Sequence, residues 1–128
     1  MLLNVQTSPG EFLDKLTILE IKSERMADAA KLENVRRELE LLRATWAASP
    51  LAARDVAALV ADLKRVNEQL WEIEDRIRLK EAARAFDDEF VELARSVYRT
   101  NDRRAAIKRE INVALGSDLI EEKSYPGY

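Results

Sequence analysis

Between Val56 and Ile77 the apolar residues Val56, Leu59, Leu63, Val66, Leu70, Ile73 and Ile77 recur on alternating steps of three and four. In a right-handed helix that spacing lines one narrow face, while Asp62, Lys64, Arg65, Glu68, Glu72 and Arg76 fall away from it into solvent. The pattern predicts a helix over 50–82, entered with Ser49 at the N-cap and Pro50 in the first turn. Three heptads span about 33 Å at 1.5 Å per residue, so this helix asks for at least one equally long neighbour.

A second set, Leu32, Val35, Leu39, Leu42 and Trp46, predicts a helix over 29–47 that Asp28 can cap. Ala47-Ala48-Ser49-Pro50 is the expected turn between the two predicted helices. Short connections make antiparallel neighbours, so these two helices are expected to pair as a hairpin. Upstream, Ser8-Pro9-Gly10-Glu11 reads as a capping box opening a helix over 8–26. Phe12, Leu13, Leu16, Leu19 and Met26 mark its main face, and Ile18 and Ile21 lie nearly opposite. Trp71 is likewise off the seam of its own helix, and large apolar groups outside one core point to a second interface. Ile18, Ile21 and Trp71 are therefore interface candidates for a homodimer. Residues 1–7 form an arm expected to pack through Leu2, Leu3 and Val5.

The last predicted helix covers 87–115, capped by Asp87 or Asp88 and ended by Gly116. Its heptad positions are Phe90, Leu93, Val97, Thr100, Arg104, Ile107, Ile111 and Ala114, apolar at both ends and polar in the middle. A buried guanidinium costs several kcal/mol unless it is paired, so Arg104 needs a carboxylate. Pairing with the 50–82 helix puts Asn67 and Glu68 level with Arg104, and Glu20 or Glu24 could reach it from the first helix. Two readings follow. One is a structural polar layer that fixes register. The other is a site that binds an anionic small molecule or acts on it, using Asn67, Glu68, Asn101, Arg104, Lys108 and Glu20. The dense charges from Asp14 to Arg25 read as i,i+4 surface pairs. The tail 116–128 is expected to dock through Leu119, Ile120 and Tyr125.

Composition agrees with helices throughout. The 128 residues include 47% apolar and 35% charged side chains but only three Gly and three Pro, which suits a single all-α domain. Expected is an antiparallel long-helix bundle or coiled-coil hairpin of three to four helices with a short tail. The net charge of -3, from interspersed acids and bases, offers no field for nucleic acid or anionic lipid. Arg95, Arg99 and Arg103 form a stripe, but Glu92, Asp102 and Glu110 interrupt it. With no Cys and no His, the thiol nucleophile and the commonest general base and metal ligand are missing, which argues against an enzyme. Glu74, Asp75, Glu121 and Glu122 lack the spacing of a calcium loop, so no metal and no cofactor is expected. The N-terminus lacks the charge and apolar run of a signal peptide, and no stretch reads as a membrane span, so a cytoplasmic protein is expected.

Three stretches also carry a resemblance. They are Ser8-Pro9-Gly10-Glu11-Phe12-Leu13-Asp14-Lys15-Leu16-Thr17-Ile18-Leu19-Glu20-Ile21-Lys22, then Leu70-Trp71-Glu72-Ile73-Glu74-Asp75, and finally Asn101 to Ala105 with Gly116-Ser117-Asp118 and Glu121-Glu122-Lys123-Ser124-Tyr125. Together they resemble the signature stretches of a family of short bacterial proteins of unknown function. The resemblance implies a stand-alone helical protein and carries over no catalytic residue. Assembly or partner binding is the expected role, with the anion site as its alternative.

Overall fold

Capping side chains start three of the four long helices in the computed structural model, which describes residues 1–127. Ser8 Oγ accepts from the Glu11 N–H at 3.1 Å and opens α1, Pro9–Arg25. Asp28 Oδ1 does the same for Lys31 at 2.9 Å, opening α2, Ala29–Ala48. Asp87 Oδ1 accepts from Phe90 at 3.0 Å and opens α4, Asp88–Ala114. Each bond satisfies a backbone donor that the first helical turn leaves without a partner. Among the described residues the chain is all helical, with no strand.

The helix expected over 50–82 is divided. Pro50–Ala53 forms a turn of 3₁₀-helix, Arg54 is extended, and α3 runs from Ala57 to Ala82. Side-chain competition for the backbone explains the division. Ser49 Oγ takes the Leu51 N–H and Asp55 Oδ1 takes the Ala57 N–H, each at 3.1 Å. The Arg54 guanidinium meanwhile donates at 2.9 Å to the Ala114 carbonyl at the end of α4. The chain therefore turns a corner before α3 begins.

That corner changes the pairing expected from the heptads. Among the described residues α2 lies against α1 and makes no close approach to α3. Leu39 is buried with Leu16 and Leu19, and Lys15 meets Glu38 at 3.2 Å. Only Met26 to Asp28 separate α1 from α2, so the nearest apolar face in sequence captures α2. The main partner of α3 is α4. Lys80 meets Asp87 at 2.8 Å beside the connection, Arg76 meets Glu89 at 2.9 Å, and Gln69 accepts from Arg103 at 3.1 Å. The common core is Leu13, Leu63, Ile111 and Leu115, flanked by Trp46, which stacks on Phe12 with ring centroids 5.9 Å apart.

Among the described residues, neither end of the chain packs through its apolar side chains. Leu2, Leu3 and Val5 are exposed, and so are Leu119, Ile120 and Tyr125. The tail is tied by charge instead: Glu121 meets Lys108 at 3.1 Å and Glu122 meets Arg109 at 3.3 Å. Its departure from α4 is fixed by Gly116 at φ 66°, with the Ser117 N–H donating to the Asn112 carbonyl at 2.9 Å.

The same exit after α3 lacks a glycine. Ala85 N–H donates to the Lys80 carbonyl at 2.9 Å, and Arg84 takes the left-handed conformation at φ 53°. A side chain there costs about 1 kcal/mol that glycine avoids. Arg84→Gly should therefore raise the unfolding free energy by about 1 kcal/mol in urea melts, whereas Arg84→Ala should leave it nearly unchanged.

Candidate functional site

A stripe of α1 distinct from its leucines builds the polar layer. Gly10, Asp14, Thr17 and Ile21 follow one another in steps of four, three and four, and all are buried. Gly10 sets the approach of α1 to α4. Its N–H donates to Asn112 Oδ1 at 2.7 Å, and a Cβ at this position would sit 2.5 Å from the Lys108 carbonyl oxygen. With the helices that close, Asp14, one turn on, faces Arg104.

Asp14 is only 2% exposed and is fully engaged. Arg104 donates to it from Nε at 2.8 Å and from Nη2, a bidentate fork on the carboxylate. Asn67 Nδ2 donates to the same carboxylate at 3.0 Å and to Thr17 Oγ1 at 3.2 Å. The Thr17 hydroxyl in turn donates to the Asp14 carbonyl at 2.9 Å. Arg104 Nη1 lies 3.4 Å from Asn101 Oδ1. Hydrogen bonding to Asp14 drives the Arg104 pKa still higher, against the opposing pull of burial. Among the described residues no fully buried side-chain nitrogen or oxygen lacks a partner.

One turn further along α4, Lys108 is buried between Glu11 at 2.7 Å and Glu121 at 3.1 Å. Burial alone would lower its pKa. The hydrogen bonds it donates to both glutamates, with the field of Asp14 and Glu11, outweigh it and hold the ammonium above its ordinary range. The same contact with Lys108 holds Glu121 below the usual glutamate range.

Of the candidates read from the sequence, Asn67, Asn101 and Arg104 come together, and Lys108 lies beside them. Glu68 and Glu20 do not join them. Glu68 faces Arg25 at 3.4 Å, and Glu20 lies 3.6 Å from Arg43 and 3.8 Å from Lys64. The register set at Gly10 brings Asp14, not a glutamate further along α1, to Arg104. Ile21 is 1% exposed inside this chain and so cannot serve a second interface, while Ile18 and Trp71 are half-buried. These two line an open cleft of about 430 Å³ with Leu70, Asn67, Asn101 and Arg104. Asp14, Thr17 and Gly10 were legible only as a second heptad stripe, hidden among residues that resemble a charged surface.

The layer offers a guanidinium fixed on a carboxylate with amides beside it, an arrangement suited to recognition and positioning. Among the described residues no group of three His, Cys, Asp or Glu could hold a metal ion, and no helix is long and apolar enough to cross a membrane. A family model, DUF6165, described as a family of unknown function, matches residues 3–127. The chain belongs to DUF6165. The DUF6165 match takes in the Ser8 cap, the Asp14–Arg104 layer and the Lys108–Glu121 clasp, so all three lie within the family's bounds. No curated protein and no solved structure is similar to the chain.

Proposed function

We propose that this DUF6165 protein is a cytoplasmic assembly module, an antiparallel bundle of long helices that pairs with a second copy of itself. The observation that carries this reading is the tip where α3 passes into α4. Leu79, Phe86 and Val91 are 71%, 59% and 51% exposed there, and Phe90 packs edge-on to Phe86 with ring centroids 5.1 Å apart. A cluster of large apolar groups at one end of a molecule is costly to leave in water and characteristic of an interface. The antiparallel course of α3 and α4 is supported by their pairings, which move from Lys80–Asp87 through Arg76–Glu89 to Gln69–Arg103. A polar layer satisfied within one chain suits the role of fixing register. Ile18 and Trp71, expected to serve the same interface, line the cleft instead.

Light scattering measures the assembly directly. At about 100 μM the protein should have twice the 14.6 kDa mass of one chain, since a dimer with a micromolar Kd is nearly complete there. Phe86→Asp combined with Val91→Asp should return it to 14.6 kDa with an unchanged helical spectrum. A wild-type protein that stays at 14.6 kDa overturns the reading.

A further inference from the structure

The cleft beside the polar layer is built differently from the tip. Its floor is apolar, formed by Ile18, Leu70 and Trp71, and its walls carry hydrogen-bonding groups that the fold leaves partly unused. Asn67 is the most telling of these. The residue is 5% exposed, and its amide nitrogen lies between two acceptors, the Asp14 carboxylate and Thr17 Oγ1. That environment dictates the orientation of the amide, because an oxygen turned toward the carboxylate would be repelled. The carbonyl oxygen is therefore directed away from the layer. It accepts from no donor among the described residues, and it is not sealed from solvent. Asn67 is among the residues that line the cleft.

Donors stand close by. Arg104 spends Nε and Nη2 on Asp14 and keeps Nη1 in a long 3.4 Å contact with Asn101 Oδ1. Among the described residues the Asn101 amide nitrogen has no acceptor, and Lys22, which also lines the cleft, forms no ion pair. Asp75, another lining residue, is also without an ion pair among the described residues, while Glu74 meets Arg78 at 3.4 Å. Lys22, Arg78 and Arg104 are thus balanced by Glu74, Asp75 and the buried Asp14. A cleft with both signs and no net excess selects a ligand that itself carries both. The buried fork on Asp14 locks the guanidinium before anything binds, which lowers the ordering cost of recognition.

We propose that this cleft binds a free apolar 2-amino acid as its zwitterion. The carboxylate is received by Arg104 Nη1, Asn101 Nδ2 and Lys22. The ammonium group is received by Asn67 Oδ1, with the charge of Asp75 two turns further along α3 favouring it at longer range, and the side chain lies on Ile18, Leu70 and Trp71. A cleft of about 430 Å³ is of the size that small-molecule sites have, about 300–1,000 Å³. This inference stands apart from self-assembly, which the mass of the particle tests separately.

The test is a titration of the wild-type protein followed by amide NMR, with L-phenylalanine, 3-phenylpropionate and phenethylamine as probes. The last two lack the ammonium and the carboxylate respectively. L-phenylalanine should move the resonances of Ile18, Lys22, Leu70, Trp71 and Asn101, and each truncated probe should bind about tenfold more weakly or worse, as expected for losing one charge-assisted partner. Lys22→Met and Asn101→Ala alter side chains outside the Asp14 fork, so the fold persists and its melting curve checks that. Each should weaken L-phenylalanine binding several-fold. No shift at about 10 mM probe, which sets a Kd above any specific site, overturns the proposal. So do shifts centred away from the cleft, equal binding of a truncated probe, or variants that bind as wild type does.

Discussion

Asp14→Ala should lower the unfolding free energy by about 3 kcal/mol, the lower end of what breaking a buried ion pair costs. The lower end applies because the Arg104 side chain is 27% exposed and its charge can draw on cleft water, whereas the Asp14 side chain is 3% exposed. Removing the carboxylate also strips the Asn67 amide of an acceptor at 3.0 Å. Pairing the change with Arg104→Met should recover much of the loss, since the second substitution removes the stranded charge and leaves an apolar chain on the seam. Urea melts of wild type, both single variants and the double variant complete the cycle. A loss below about 1 kcal/mol for Asp14→Ala would place the pair with the ordinary surface salt bridges.

Gly10→Ala should be as damaging, and here two principles predict opposite signs. In an exposed helix the change gains about 0.5–1 kcal/mol from helix propensity. At this position the added Cβ meets the Lys108 carbonyl oxygen at 2.5 Å and Asn112 Oδ1 at 2.8 Å, both held rigidly in α4. Neither can give way without moving α1. Overpacking of this kind costs about 1–3 kcal/mol, and the bond from the Gly10 N–H to Asn112 is worth about 1 kcal/mol more. A net loss of about 3 kcal/mol is expected in thermal or urea unfolding, with Asp14 and Arg104 pulled out of register. A variant that melts above wild type would show that the helices separate without strain.

How much of this was readable depends on whether a feature is local. The caps at Ser8 and Asp28 and the exit at Gly116 are decided within four residues and are legible in the sequence, which leaves the last cap open only between Asp87 and its neighbour Asp88. The seam of α3 was visible for a similar reason, with Leu63 and Val66 buried at its centre. Pairing was not local. Leu32, Val35, Leu39 and Leu42 would suit any apolar stripe, and nothing in their spacing chooses α1 over α3. The division at Arg54 and Asp55 decides it, and two polar residues among alanines give little warning of a corner.

The site divides the same way. Arg104, Asn101 and Asn67 showed themselves as polar residues on or beside apolar seams. Asp14 lies between Leu13 and Lys15 in a stretch of mixed charge, and the surface reading fitted it until a register for α1 was known. Its one sequence signal is the spacing Gly10, Asp14, Thr17, Ile21, which places the least bulky residue where two backbones touch. Glu20 and Glu68 had the right chemistry for Arg104 but the wrong turn of the helix.

The seam between α1 and α4 also sets an order of events. Gly10 and Asn112 are 102 residues apart, and Asp14 and Arg104 are 90 apart. Hairpins joined by a few residues close quickly, whereas contacts across nearly a whole chain must first overcome loop entropy. On the ribosome α1 and α2 can pair early, but the carboxylate of Asp14 has no guanidinium to bury against until α4 has been made. Closure of the layer thus waits for α4. A nascent chain stalled before Arg104 carries an open polar face on α1.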